Sequence, residues 1–160
     1  MIRLAEFSDL DRITEIYRIA REFMRRNGNE NQWGDAYPPR SMLENDIRNK
    51  QLYVLCKDKM IHGVFAFIIG DDPAYAHIEN GSWKNNGIYG AIHRIASDGT
   101  VKGVFHECLD YCKNQIDNIR IDTHENNTVM RHLIEKHGFE KRGLIYLEDG
   151  SPRIAYELNI

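Results

Sequence analysis

The stretch His93-Arg94-Ile95-Ala96-Ser97-Asp98-Gly99-Thr100-Val101-Lys102-Gly103-Val104 reads as a strand, a loop and the first residues of a helix. Ile88 to Ala96 is a largely apolar run of strand length, and Ser97-Asp98-Gly99 breaks it. A helix is predicted from about Lys102 to Asn114, with Val104, Cys108, Leu109 and Cys112 on its apolar side. A helix start carries backbone N–H groups with no partner inside the helix, and the helix dipole adds positive potential there, so the junction suits a phosphate. Gly99 and Gly103 would let the main chain approach such a ligand closely, and Lys102 and Arg94 would add charge. Taken alone, a glycine-bearing turn between strand and helix is more often only a turn.

Reading outward toward the C-terminus, Ile119, Ile121 and Thr123 alternate with Arg120, Asp122 and His124, which is a strand pattern. Asn127 is placed to cap a helix carrying Met130, Leu133, Ile134 and His137, and Gly138 stands where a left-handed helix end is expected. Phe139 to Leu147 and Ile154 to Leu158 read as two strands around Glu148-Asp149-Gly150. Toward the N-terminus, Leu52–Cys56 and Ile61–Ile69 form a predicted antiparallel hairpin across Lys57-Asp58-Lys59. Asp71-Asp72-Pro73 is a turn, Tyr75–Ile78 a weak strand, and Gly81–Gly87 a loop holding Trp83. Ile2–Leu4 is a short strand. Helical spacing of Leu10, Ile13, Ile16, Tyr17, Ala20, Phe23 and Met24 predicts a helix over Asp9–Arg25, capped by Ser8 with Asp11. Ser41 with Glu44 predicts a second capping box and a shorter helix ending near Asn49, after a polar and aromatic loop with Trp33 and Tyr37.

The span from Ile92 to Phe139, with the element order around it, resembles the GNAT acetyltransferase superfamily. In that family a strand and loop-helix hold the coenzyme A pyrophosphate, and a later strand leads to an Asn-x-x-Ala helix ending Tyr-Glu-Lys-x-Gly-Phe. Asn127 falls on the family asparagine, Met130 on the alanine, Glu135-Lys136 on the Glu-Lys pair and Gly138-Phe139 on the final pair. The resemblance implies a mixed α/β (α+β) fold: one domain over residues 1–160, with a mixed, mostly antiparallel sheet flanked by about four helices. It also implies acetyl-CoA as cosubstrate, with contacts from Ile95, Ala96, Gly99, Thr100, Val101, Lys102, Gly103, Val104, Asn127 and Met130. Two positions depart from the pattern. The family loop Gln/Arg-x-x-Gly-x-Gly/Ala aligns with Asp98 to Gly103, which puts Val101 where the first glycine belongs. The family tyrosine that protonates the departing thiolate corresponds to Ile134, which has no proton to give.

For direct attack by an amine, a base is needed. His93 is the first candidate, since an imidazole titrates near neutrality; a structural histidine bonded to backbone is an equal reading. Glu79 is the second, against a solvated surface charge. Asp122 and His124 share one face of their strand and could orient an acceptor or pair with each other. Tyr146 and Tyr89 could replace the missing acid or simply pack. Trp33 and Trp83 could wall an acceptor pocket or anchor their loops, and Arg153 could contact an anion or lie on the surface.

The 160 residues carry 42% hydrophobic and 28% charged side chains, an ordinary globular balance. The net charge of −3 gives no general attraction to nucleic acid or anionic membrane. No apolar run is long enough to span a bilayer, and the start at Met1-Ile2-Arg3 shows no secretory signal. Cys56, Cys108 and Cys112 form no paired framework, which fits reduced thiols and a cytoplasmic location. Seven histidines lack metal-ligand spacing, so no metal is expected. The function expected is therefore acetyl transfer from acetyl-CoA to a primary amine of a small molecule or peptide, with a homodimer admissible. The alternative is a CoA or acyl-CoA sensor of the same fold with little turnover.

Overall fold

Hydrophobic alternation in the strands of the computed structural model, which describes all 160 residues, sends neighbouring side chains to opposite faces of one sheet. In chain order the elements are β1 (Ile2–Leu4), α1 (Leu10–Arg26), α2 (Arg40–Arg48), β2 (Leu52–Lys57), β3 (Met60–Ile69), β4 (Gly90–Ser97) and α3 (Val104–Lys113). They continue as β5 (Asn118–Thr123), α4 (Thr128–Lys136), β6 (Glu140–Tyr146) and β7 (Pro152–Asn159). The seven strands lie in the order β1-β2-β3-β4-β5-β7-β6. Every neighbouring pair is antiparallel except β4 with β5.

Leu55, Phe65, Phe67, Ile92, Ile121, Ile154 and Tyr156 face α3 and α4. Their strand neighbours Val54, Val64, Ala66 and Ala96 face α1 and α2. Farther along that second face, Ala91, Ile145 and Ala155 pack under Tyr75 and Tyr89, which belong to the long β3–β4 connection. The second face is thus covered at both ends by different pieces of chain, and a cleft lies between them.

Several local expectations are corrected. Ser8 does not cap α1: Phe7–Asp9 is a 3-10 turn whose start is closed by a reciprocal box between Glu6 and Asp9. Nor does Ser41 cap α2, which begins at Arg40 behind Pro39 with no side-chain cap. Tyr75–Ile78 is not a strand. Pro73–Tyr75 forms a 3-10 turn, because Asp72 accepts the Ala74 N–H at 2.9 Å and Pro73 fixes the first helical position. The Asn127 cap and the left-handed Gly138 (φ +91°) occur as expected.

Candidate active site

The parallel pairing of β4 and β5 runs only from Gly90↔Ile119 to Ile92↔Ile121. Beyond it the two strands part, and the facing edges of residues 93–96 and 122–123 are left without strand partners. β4 is bent at the same place. Val64 pairs with Ala96 and Ala66 with His93, so β4 carries one extra residue, and Arg94 takes φ +52°. A non-glycine residue in that region costs on the order of 1 kcal/mol or more, so surrounding structure must hold it. The Arg94 guanidinium is paired with buried Asp46 at 2.8 Å, and its carbonyl accepts from the buried Tyr17 hydroxyl at 2.6 Å. Bulge, ion pair and hydroxyl together fix the strand edge at the mouth of the gap.

The loop after β4 ends in Gly103, which has φ +81° and stands directly before α3. Gly99 N–H is satisfied by Ser97 Oγ at 3.0 Å, and Thr100 N–H by Asp98 Oδ1 at 2.9 Å. The N–H groups from Val101 through His106 have no acceptor in the chain; the first to find one is Glu107, which bonds Gly103 O at 3.0 Å. Such a run of free donors at a helix start can serve as an anion cradle made of backbone alone. Val101 in place of a glycine does not close it.

The cleft holds a cavity of about 720 Å³, lined by Ile92 to Ile95 of β4, Ile121 to Thr123 of β5, and Asn127 and Met130 of α4. Trp33 and Tyr37 wall it from the α1–α2 loop, and Leu147 to Asp149 with Arg153 from the β6–β7 side. His93 projects into it, with Nε2 2.8 Å from Asp72 Oδ2. That hydrogen bond holds the Asp72 carboxyl below its usual range. An ionised carboxylate can only accept, so Nε2 carries a proton, and the tautomer that has a lone pair has it on Nδ1. Asp72 is itself fixed by the Ala74 N–H and lies beside Tyr89, whose hydroxyl accepts its backbone N–H at 2.7 Å. Asp122 accepts from the Tyr75 hydroxyl at 2.7 Å, and burial pushes that phenol well above its usual value, so it stays a donor.

The predicted site residues divide. His93, Ile95, Asn127, Met130 and Asp122 meet at the cavity, and Trp33 is one of its walls. Gly99 to Val104 form the adjoining loop and helix start. Ala96 is buried on β4 under α1. Glu79 does not join them: it pairs backbone-to-backbone with Leu144, lies about half exposed, and bonds His77 at 3.3 Å outside the cavity lining. Its carboxyl is lowered by that histidine and by Tyr146, which is a surface cluster. Trp83 is an anchor, donating to Tyr75 O at 2.9 Å and stacking on Arg120 at 4.0 Å. His124 does not pair with Asp122; its Nδ1 accepts from Asn126 N–H at 3.0 Å. Ile134 is fully buried on the core side of α4 and is not among the residues that line the cavity.

Sequence reading missed Asp72, Tyr75 and Gln32. Asp72-Pro73 looks like a turn and is one, and nothing in its spacing shows that its carboxylate reaches a histidine 21 residues later. Gln32 bridges the polar loop to the cleft, its Oε1 accepting from Asn127 at 3.0 Å and from Asn29 at 2.8 Å.

No protein-family model matches the sequence, and no curated protein is similar enough to count as a relative. Solved structures do match. An acetyltransferase of the GNAT family from Streptococcus agalactiae 2603 is 30% identical, superposes with a TM-score of 0.90, and is aligned over 100% of this chain and 95% of its own. The chain belongs to the GNAT family of acetyltransferases. A candidate acetyltransferase from Staphylococcus aureus Mu50 is 28% identical over 99% of this chain and 98% of its own, with a TM-score of 0.71. The ribosomal-protein-S18-alanine N-acetyltransferase of Escherichia coli is 14% identical with a TM-score of 0.64, over 100% of this chain and 93% of its own. At that identity the likeness is one of fold. As a GNAT member the chain is an N-acetyltransferase with a mixed α+β fold.

Proposed function

We propose that this protein transfers the acetyl group of acetyl-CoA to a primary amine by direct attack in a ternary complex. One observation carries the reading: the unpaired N–H run from Val101 to His106 opens beside the gap between β4 and β5. The cradle suits the pyrophosphate, and the free strand edge of β4 suits the amide groups of the pantetheine arm. The amine nitrogen forms a C–N bond to the thioester carbonyl carbon, the C–S bond breaks, and the thiolate leaves. The amine loses one proton overall. His93, held by Asp72, is the group we assign to take it at Nδ1. The thiolate regains a proton from water in this scheme, since Ile134 offers none. No helix is long and apolar enough to cross a membrane. The three cysteines are free and buried, which supports a reducing, cytoplasmic setting.

Buried Ile134 also favours a second reading, a CoA-binding sensor with little turnover. Calorimetry with acetyl-CoA, followed by transfer assays on a panel of primary amines, tests both. Binding with turnover supports the transferase. Binding with no transfer to any amine at saturation supports the sensor, and no binding removes both.

A further inference from the structure

Arg94, Arg120 and Arg153 all have side chains largely out of solvent, and two of the three are matched to a carboxylate. Arg94 meets Asp46 at 2.8 Å, and Arg120 meets Glu157 at 3.3 Å. The third, Arg153, is 6% exposed and lines the cavity, yet no carboxylate oxygen lies within 4.0 Å of it. Its only bonds are to two carbonyls, Pro152 O at 2.8 Å and Gln32 O at 3.4 Å, which leaves donors of its five unused. A buried charge is normally paired, because removing an ion from water without a partner is costly. The nearest acids are committed elsewhere: Asp122 to the Tyr75 hydroxyl and Asp149 to Ser151. Their attraction does not offset the burial, which lowers the guanidinium from its usual value.

We infer that Arg153 is the anion-recognition point of the acceptor site, and that the acceptor is a small amine that also carries a carboxylate. This rests on the acetyl-transfer reading above. Register places the parts. Asp122 pairs with Ala155, so Arg153, two residues before it, is its diagonal neighbour on the same face. His93 follows Ile92 across the gap from Asp122. The amine end therefore belongs at β4 and the carboxylate end at β7, about two strand spacings or 10 Å apart at the backbone. Side chains reach inward from both ends, which leaves room for a molecule of amino-acid or dipeptide size. The cavity is also lined by Asp72, Asp122, Glu148 and Asp149. That acid content disfavours a dianion such as phosphate and suits a zwitterion, whose ammonium faces the carboxylates while its single negative charge meets the arginine.

The test uses matched acceptors with acetyl-CoA: an amino acid, its carboxamide and its decarboxylated amine, for several side chains and one dipeptide. Rates are compared at equal concentrations of neutral amine. The carboxylate member of each set is expected to have roughly 10-fold or greater kcat/KM than its amide, the scale of a charge-assisted hydrogen bond. Arg153→Gln should collapse that ratio toward one by raising KM for the carboxylate member, and Arg153→Lys should restore part of it. Should Arg153→Gln fail to fold, the wild-type ratio and the lysine variant still decide. Amides turned over as well as amino acids by the wild type would overturn the inference and leave acetyl transfer standing. Absence of transfer to every amine would instead remove the transferase reading. Calorimetry of N-acetyl amino acids against their amides on the CoA-loaded protein then reads the subsite alone. Arg153-dependent binding of the acids sustains it, and equal binding of acids and amides overturns it.

Discussion

Two strand–loop–helix units flank the cleft, and their helices begin in opposite ways. Before α4, Asn127 turns its Oδ1 onto the Met130 N–H at 3.1 Å, so that only Thr128 and Val129 keep open donors in the first turn. Before α3, Gly103 has no side chain to offer, and the donors from Val101 to His106 stay open. An asparagine at a helix start spends a donor on the fold, and a glycine there keeps it for a ligand. The difference explains why, of these two helices, α3 offers the longer run of open donors. It also explains what α4 does instead: the other end of the same amide, Asn127 Nδ2, holds the Gln32 side chain and with it the loop that carries Trp33 and Tyr37.

The comparison breaks most readily at Gly103. Gly103→Glu puts a carboxylate beside the cradle, and acetyl-CoA affinity should fall by 100-fold or more in calorimetry. No atom lies within 4 Å of a Cβ added there, so the obstacle at the Cβ is the left-handed backbone and the rest is the charge of the glutamate. Gly103→Ala separates the two, since it carries only the conformational cost of about 1 kcal/mol and should weaken binding a few-fold. Equal acetyl-CoA affinity in a folded Gly103→Glu protein would sink the cradle assignment.

A second group of variants asks what stands at the end of the cradle. His93→Ala should lower kcat by about 100-fold and change the dependence of the rate on pH. Asp72→Asn should cost about 10-fold or more for a different reason. The amide N–H would donate to Nε2 and drive the ring proton to Nδ1, where the lone pair is needed. The Asp72 carboxyl is held below its ordinary value of 3.8 by the His93 hydrogen bond, so it is ionised throughout the working range and contributes no limb there. The sign for stability follows. A depressed carboxyl stabilises the fold above its unfolded value, and that contribution disappears as pH falls below about 4. Thermal scans of Asp72→Asn and wild type should therefore converge in acid and diverge above it. Profiles of rate against pH that are unchanged by His93→Ala would return the proton to a water chain.

Local pattern carried the reading of the fold far because each helix and strand is written in its own residues. The alternation of Val54/Leu55 and Val64/Phe65/Ala66/Phe67 gives both faces of the sheet, and Asn127 and Gly138 mark both ends of α4. The open start of α3 was legible for the same reason, since residues 95–104 are one continuous stretch. The far wall of the cleft was not. Asp72 and His93, Gln32 and Asn127, and Arg153 with the Gln32 carbonyl meet only because the sheet is assembled, across separations of 21 to 121 residues. Glu79 misled because it is close to the site in sequence yet pairs with Leu144 at the outer end of the β3–β4 connection. Arg153 looked like surface because a charged residue near a terminal strand usually is. Its burial arises from the α1–α2 loop, whose Gln32 carbonyl lies over it.

The smallest effect belongs to Asn127 and sharpens the comparison from the other side. Asn127→Ala removes a cap and should cost about 1 kcal/mol, or roughly 2–4 °C in Tm for a chain of this length. It also frees Gln32. Asn127→Asp keeps an oxygen for the Met130 N–H and loses only the donor to Gln32, so Tm should return while the loop remains untethered. The acceptor KM is then expected to rise in both variants, and acetyl-CoA affinity to fall by less than about 10-fold in either, well short of the Gly103→Glu loss. A loss of acetyl-CoA binding in Asn127→Asp as deep as that of Gly103→Glu would mean that the α4 start is part of the cradle after all. A recovered Tm with a raised acceptor KM would mean that this asparagine serves the fold with one end of its amide and the acceptor loop with the other.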